Sequence, residues 1–166
     1  MYQRSDSVDS GLKGVADMAT NLKIYTGTVT AGGTDGTAVS EGTGSAPISA
    51  TLVVSDTTGA ETAIKCAIRC NSGYTTTGDT ILKTVVDQSG SWGDYTGPNI
   101  KLAADNNYAD GAAAISGATW ANSLTISNLG ATNIIFWVKM SAAAGATPDN
   151  DSSIAIYHNA TVVATA

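Results

Sequence analysis

The sequence predicts an all-β chain, an antiparallel β-sandwich of about seven strands (22–166) behind a flexible N-terminal arm (1–21). Three observations predict it. Short apolar-alternating runs recur at a spacing of about 8–20 residues, the rhythm of sandwiches and barrels. Glycine-rich turns separate them, and no helical crossover of the kind a parallel sheet needs intervenes. The texture is small and β-tolerant, rich in Gly, Ala, Ser and Thr, with only 13% charged residues, about half the usual share.

Residues 1–21 carry no period-2 pattern. "SGLKGVADMATNL" has the makings of a short helical turn, but Gly11 and Gly14 weaken it. The segment reads as an arm that orders on a partner or not at all. "NLKIYTGTV" then places Leu22, Ile24 and Thr26 on one face of a strand. Thr30–Pro47 is a long glycine-rich loop whose one core residue is Val39, and loops of this length are uncommon. "ISATLVVS" alternates Ile48, Ala50, Leu52 and Val54 against polar residues, the signature of a half-buried strand. "DTTGAE" is a turn. "TAIKCAIRC" alternates Ile64, Cys66, Ile68 and Cys70 against Lys65 and Arg69.

"TILKTVVD" is a strand with Leu82, Thr84 and Val86 inward. "QSGSWGDYTGPN" is a loop bearing Trp92 and Tyr95, "IKLA" is a short strand, and "ADNNYADGAAAISGATWAN" reads as irregular. "SLTISNL" and "TNIIFWVKM" are the most strongly patterned strands. "SAAAGATPDND" is a loop tip in which Pro148 ends regular structure. "SSIAIYHNATVVA" is the final strand, with Ile154, Ile156, His158 and Val162 on one face and a bulge near His158 to Ala160.

Chemistry is sparse. The single His, His158, has no nucleophile motif beside it, and GxSxG and HExxH are absent. The turn carboxylates Asp56, Asp79 and Asp87 suit backbone capping. "DNNYADG" does not fit the calcium-loop order, because counting back from Gly111 puts Tyr108 in a ligand position. Asp149 and Asp151 at a loop tip are the other calcium candidates. Cys66 and Cys70 on one strand would lie about 13 Å apart at 3.3 Å per residue, too far for a disulfide, so they read as small buried hydrophobes. No enzyme activity, cofactor or metal is expected.

Net charge is −6 with eight scattered basic residues, so neither nucleic acid nor an anionic membrane is an expected partner. No apolar run approaches the ~20 residues of a membrane span. The polar N-terminus does not read as a secretory signal, which points to synthesis in a cytoplasm or to a signal already removed.

The strand "TNIIFWVKM" carries the strongest site signal. With Ile134, Phe136, Val138 and Met140 inward, Ile135, Trp137 and Lys139 face outward. Either a second layer covers Ile135 and Trp137 or they meet another chain. They are the candidate interface anchor, with Lys139 at the rim and Trp92 and Tyr95 as further interface or sugar-stacking candidates.

"LTISNL" followed by "TNIIFWVKM" resembles the E–F corner of an immunoglobulin-like domain, with Phe136 in the corner-tyrosine place and Val138 in the cysteine place. Phe136 lacks the corner hydroxyl and Val138 cannot form the inter-sheet disulfide, so an Ig-like sandwich of other than antibody type is expected. Together with "AIKCAIRCNSGYTTTGDT" and "SSIAIYHNATVVA", residues 48–166 resemble small Ig-like virion proteins of tailed bacteriophages. That resemblance implies a non-enzymatic structural protein of the virion, made in the host cytoplasm. A capsid decoration protein binding the major capsid protein and copies of itself comes first, with a tail-tube or minor tail subunit as the alternative. A carbohydrate-binding module using Trp92, Tyr95 or Trp120 is the reading from a different class.

Overall fold

A computed structural model describes residues 2–5, 21–39, 47–87, 92–147 and 154–165. Two five-stranded sheets pack face to face, and a two-stranded sheet closes one end. The first sheet contains β1 (Tyr2–Ser5), β11 (Ile154–Asn159), β6 (Asp79–Asp87), β7 (Trp92–Asp94) and β9 (Ser123–Ser127), with β7 and β9 both paired to β6. The second runs β3 (Thr37–Ala38), β2 (Leu22–Thr26), β4 (Ala60–Cys70), β10 (Ile134–Ala142) and β8 (Ile100–Ala104). The small sheet pairs β5 (Tyr74–Thr76) with β12 (Val162–Ala164). All pairs are antiparallel except β1 with β11. The all-β sandwich is as expected, but twelve strands stand among the described residues instead of about seven.

The core follows from strict alternation. Leu22 and Ile24 of β2, Cys66, Ile68 and Cys70 of β4, Phe136, Val138 and Met140 of β10 and Leu102 of β8 meet Leu82, Ile126 and Ile156 from the first sheet. Val39 is buried among them, as its place in the glycine-rich loop suggested. Cys66 and Cys70 are free, buried thiols. Ile134 shares the parity of Phe136 but begins the strand and is 39% exposed, so it is not the inward residue expected.

The second sheet is also covered on its outer face. Helix α1 (Gly111–Gly117) lies there, where irregular chain was expected. Asp110 caps it by accepting a hydrogen bond from the Ala113 amide at 2.9 Å. Gly111 lets the helix approach β4 closely: a Cβ there would stand 2.5 Å from the Ala63 carbonyl oxygen. Ala114, Ala118, Tyr108 and Trp120 pack with Ala103 and Ala63 around Trp137. The Trp137 indole N–H donates to Asp105 at 2.8 Å, and the Tyr108 ring meets the indole edge-on.

Further along β10, Ile135 packs with Tyr25, Val29 and Ala67 beneath the β2–β3 loop. A polar lock holds that loop down. Asn133 donates through Nδ2 to Asp35 at 2.7 Å and to the Thr30 carbonyl at 3.2 Å. Arg69 donates to Asn133 and to the Asp35 carbonyl and lies 3.4 Å over the Tyr25 ring. Gly36 has a positive φ of 106°, and a Cβ there would stand 2.7 Å from Val29, so the tight return over the cluster needs glycine.

Other expectations need correction. Residues 48–55 show no ladder pairing, although Ile48 is buried and Leu52 packs against the core. Trp92 lies in a short strand, not in a loop. The C-terminal run is two strands instead of one bulged strand: β11 ends at Asn159 and β12 leaves for β5. Of the predicted arm, Tyr2–Ser5 pair parallel with β11, and the expected helical turn lies outside the described residues except for Asn21 and Leu22; Pro148, Asp149 and Asp151 also lie outside them.

Trp137 is 2% exposed, so it is structural. Replacing a buried Trp by Ala costs about 3–5 kcal/mol. Trp137→Ala should therefore lower the unfolding free energy of the isolated chain by that amount, read as a lower urea midpoint at an unchanged denaturant slope.

Candidate functional site

The predicted anchor resolves into the covering layer, not a free surface. Ile135 is 7% exposed and sealed by the β2–β3 loop, and Trp137 is sealed by α1. Parity placed both on the outer face correctly; chain distant in sequence covers them. Lys139 is no rim residue either. Its ammonium lies 3.4 Å from Glu61 and 5.3 Å from the Trp120 ring. Tyr95 is a clip for its own turn: its ring lies over Gly97, its hydroxyl accepts from the Asn99 amide at 3.3 Å, and its amide donates to the Thr84 carbonyl at 2.9 Å. Of the predicted residues, Trp92 alone reaches an open groove.

That groove lies on the outer face of the first sheet, has a volume of about 310 Å³, and is lined by Ile81, Lys83, Val85, Trp92, Asp94, Tyr157 and Asn159. Register explains the grouping. On β6, Leu82 and Thr84 face the core, so Ile81, Lys83 and Val85 face out. Across β11, Tyr157 stands opposite Lys83 and Asn159 opposite Ile81. Across β7, Asp94 stands opposite Val85, and Trp92 opposite Asp87. Three strands thus bring an aromatic residue to each flank, with Ile81, Lys83 and Val85 of β6 along the floor. Ile81 and Tyr157 were missed as site residues, although the parity that places Leu82 inward already places Ile81 outward.

The charges in the groove compensate each other. Lys83 donates to Asp94 at 2.6 Å and lies 5.6 Å from the Tyr157 ring centre. A partner would find apolar and aromatic contact beside an ion pair that neutralises itself. A second groove, lined by Gly59, Ala60, Glu61, Ser141 and Ala142 at one end of the other sheet, has no aromatic side chain.

The titratable groups elsewhere have structural surroundings. Thr30 donates to Asp35 from its amide and its hydroxyl, each at 2.8 Å, and these bonds hold the carboxyl below its usual range. Asp105 and Asp110 hold Trp137 and α1. Burial raises both thiols, Cys70 to about 11, which keeps them protonated at neutral pH. No group of three or more His, Cys, Asp or Glu able to hold a metal occurs among the described residues. His158 faces the core opposite Leu82, 4% exposed. Comparison with family models, curated proteins and solved structures finds no match to this chain.

Burial lowers the His158 pKa from 6.5 to about 4. The unfolded chain takes up this proton near pH 6.5 and the folded chain only near pH 4. The contribution is therefore fully present above pH 6.5 and is lost as pH falls toward 4, by about 3 kcal/mol in all. Urea midpoints measured between pH 7 and 4 should show that decline, and His158→Gln should flatten it.

Proposed function

We propose that this chain is a non-enzymatic structural protein of a bacteriophage virion, a capsid decoration protein that seats the outer face of its first sheet on the shell. One observation carries the seating: the two outer faces of the sandwich differ. The second sheet is roofed by α1 and the β2–β3 loop. The first leaves Ile81 43% exposed in a groove with Trp92 and Tyr157. Aromatic side chains on both flanks of Ile81 and Val85, with Lys83 neutralised by Asp94, suit a protein-binding surface.

The resemblance of residues 48–166 to tailed-phage virion proteins supports the setting. So does the net charge of −6, which suits the outside of a shell better than a DNA-facing lining. The chain also crosses between the sheets from β9 to β10, in keeping with the Ig-like corner, although β11 then returns to the first sheet. Major capsid protein and further copies of the chain are the partners on this reading. A tail subunit would use the same face and would differ in stoichiometry on the particle.

The same groove favours one reading of a different class. Trp92 and Tyr157 beside Lys83, Asp94 and Asn159 combine stacking faces with hydrogen-bonding groups, as a carbohydrate-binding sandwich requires.

Trp92→Ala decides between them. Loss of one interface Trp costs about 2 kcal/mol or more, so co-sedimentation with particles should weaken at least ~10-fold while the melting temperature changes little. Moderate salt should weaken the wild-type complex little, because Lys83 and Asp94 already neutralise each other. Unchanged particle binding alongside loss of binding on a glycan array would replace decoration with the carbohydrate reading.

A further inference from the structure

We propose that β1 is an exchangeable strand: in assemblies, Tyr2–Ser5 of one copy pair with the β11 edge of a neighbouring copy. The proposal concerns the sheet edge and holds for capsid, tail or free oligomer alike.

β1 is the outermost strand of the first sheet, it pairs with β11 alone, and it is the one parallel strand among the described residues. Its ladder is four residues long, with Tyr2 opposite Ala155, Gln3 opposite Ile156, Arg4 opposite Tyr157 and Ser5 opposite His158. Parallel pairing is slightly less stable per residue than antiparallel pairing, and so short a ladder at an edge holds weakly.

The edge it occupies differs from an ordinary one. In β11, Ala155 and Ile156 are fully buried, Ile154 is 6% exposed and His158 4%. With β6 on its other side, β11 is an interior strand only while something fills the β1 position. An open backbone edge beside such residues is a template for a further strand. This chain carries one that fits.

The connection has length enough for exchange. β1 belongs to the first sheet and β2 to the second, and fifteen residues, 6 to 20, lie between Ser5 and Asn21, which is buried and bonded to the Asn71 amide. Fully extended, that length spans up to about 50 Å. A domain of this size is roughly 40 Å across, so β1 can reach the same edge on an adjacent copy. Exchange remakes the same ladder, which makes it an inexpensive route to association. Against it stands the effective concentration of the chain's own β1, on the order of millimolar for such a tether. Exchange should therefore be minor in dilute solution and should grow as copies are crowded together.

The test uses the register. Arg4→Cys and Tyr157→Cys are made singly and together in the full chain, which is oxidised under native conditions. The unaltered chain is the control, because Cys66 and Cys70 are buried. The double variant should cross-link within one chain when dilute. The two single variants, mixed, should give disulfide-linked heterodimers whose yield rises with concentration. Intramolecular cross-linking in the double variant with no heterodimer at any concentration would overturn exchange. Absence of both cross-links would overturn the pairing on which it rests. Should Tyr157→Cys fail to fold, Tyr2→Cys with Ala155→Cys tests the same register.

Discussion

The fold depends on burying β10 on both faces. Phe136 and Val138 fill the sandwich core, while Ile135 and Trp137, pointing the other way, are just as inaccessible. A strand buried on both sides needs a layer on each, and this chain builds the outer one from a short helix and a loop. Each is held by polar groups aimed at the sheet: Asp105 accepts from Trp137, and the Arg69, Asn133 and Asp35 network ties the β2–β3 loop to β4 and to the approach of β10. What the covers add is closure, since an exposed Trp–Ile stripe would otherwise be an adhesive surface.

One outer face is closed, and the other is not roofed in the same way. The first sheet keeps an open outer surface where Ile81, Trp92 and Tyr157 converge, and its edge is completed by a strand drawn from the far N-terminus. Both features suit a subunit that works by contact. The groove and the β11 edge adjoin through Tyr157, which lines one and stands opposite Arg4 in the other. A neighbour that supplies β1 would thus alter the rim of the groove as well.

Much of the sandwich was legible because period-2 alternation is a local signal. It placed Cys66, Ile68, Phe136 and Val138 on the core face, put His158 on the same face of its strand as Ile156, and singled out Val39 in a long loop. What it could not report was who covers the opposite face. Asn133 meets Asp35 across 98 residues of sequence, and Arg69 meets Asn133 across 64; no window of neighbouring residues contains those contacts. Trp137 was therefore read as an anchor although its parity was right. Helix α1 was missed because its seven residues, GAAAISG, carry two glycines and no apolar stripe; the Asp110 cap before the alanines was the available sign. Residues 48–55 show the converse: alternation without a ladder partner makes no strand.

The outer face of the second sheet is sealed by the chain itself, and that closure is what leaves Trp137 structural. Hydrogen exchange of the Trp137 indole N–H, followed by NMR on the isolated protein, addresses that group directly. Buried and bonded to Asp105, it should exchange as slowly as the backbone amides at the centre of β10, opening only with the cooperative unit that contains both. Exchange within minutes, while the β10 amides remain protected, would mean that the α1 segment opens independently. Trp137 would then be accessible after all, and the assignment of the first sheet as the binding face would fail.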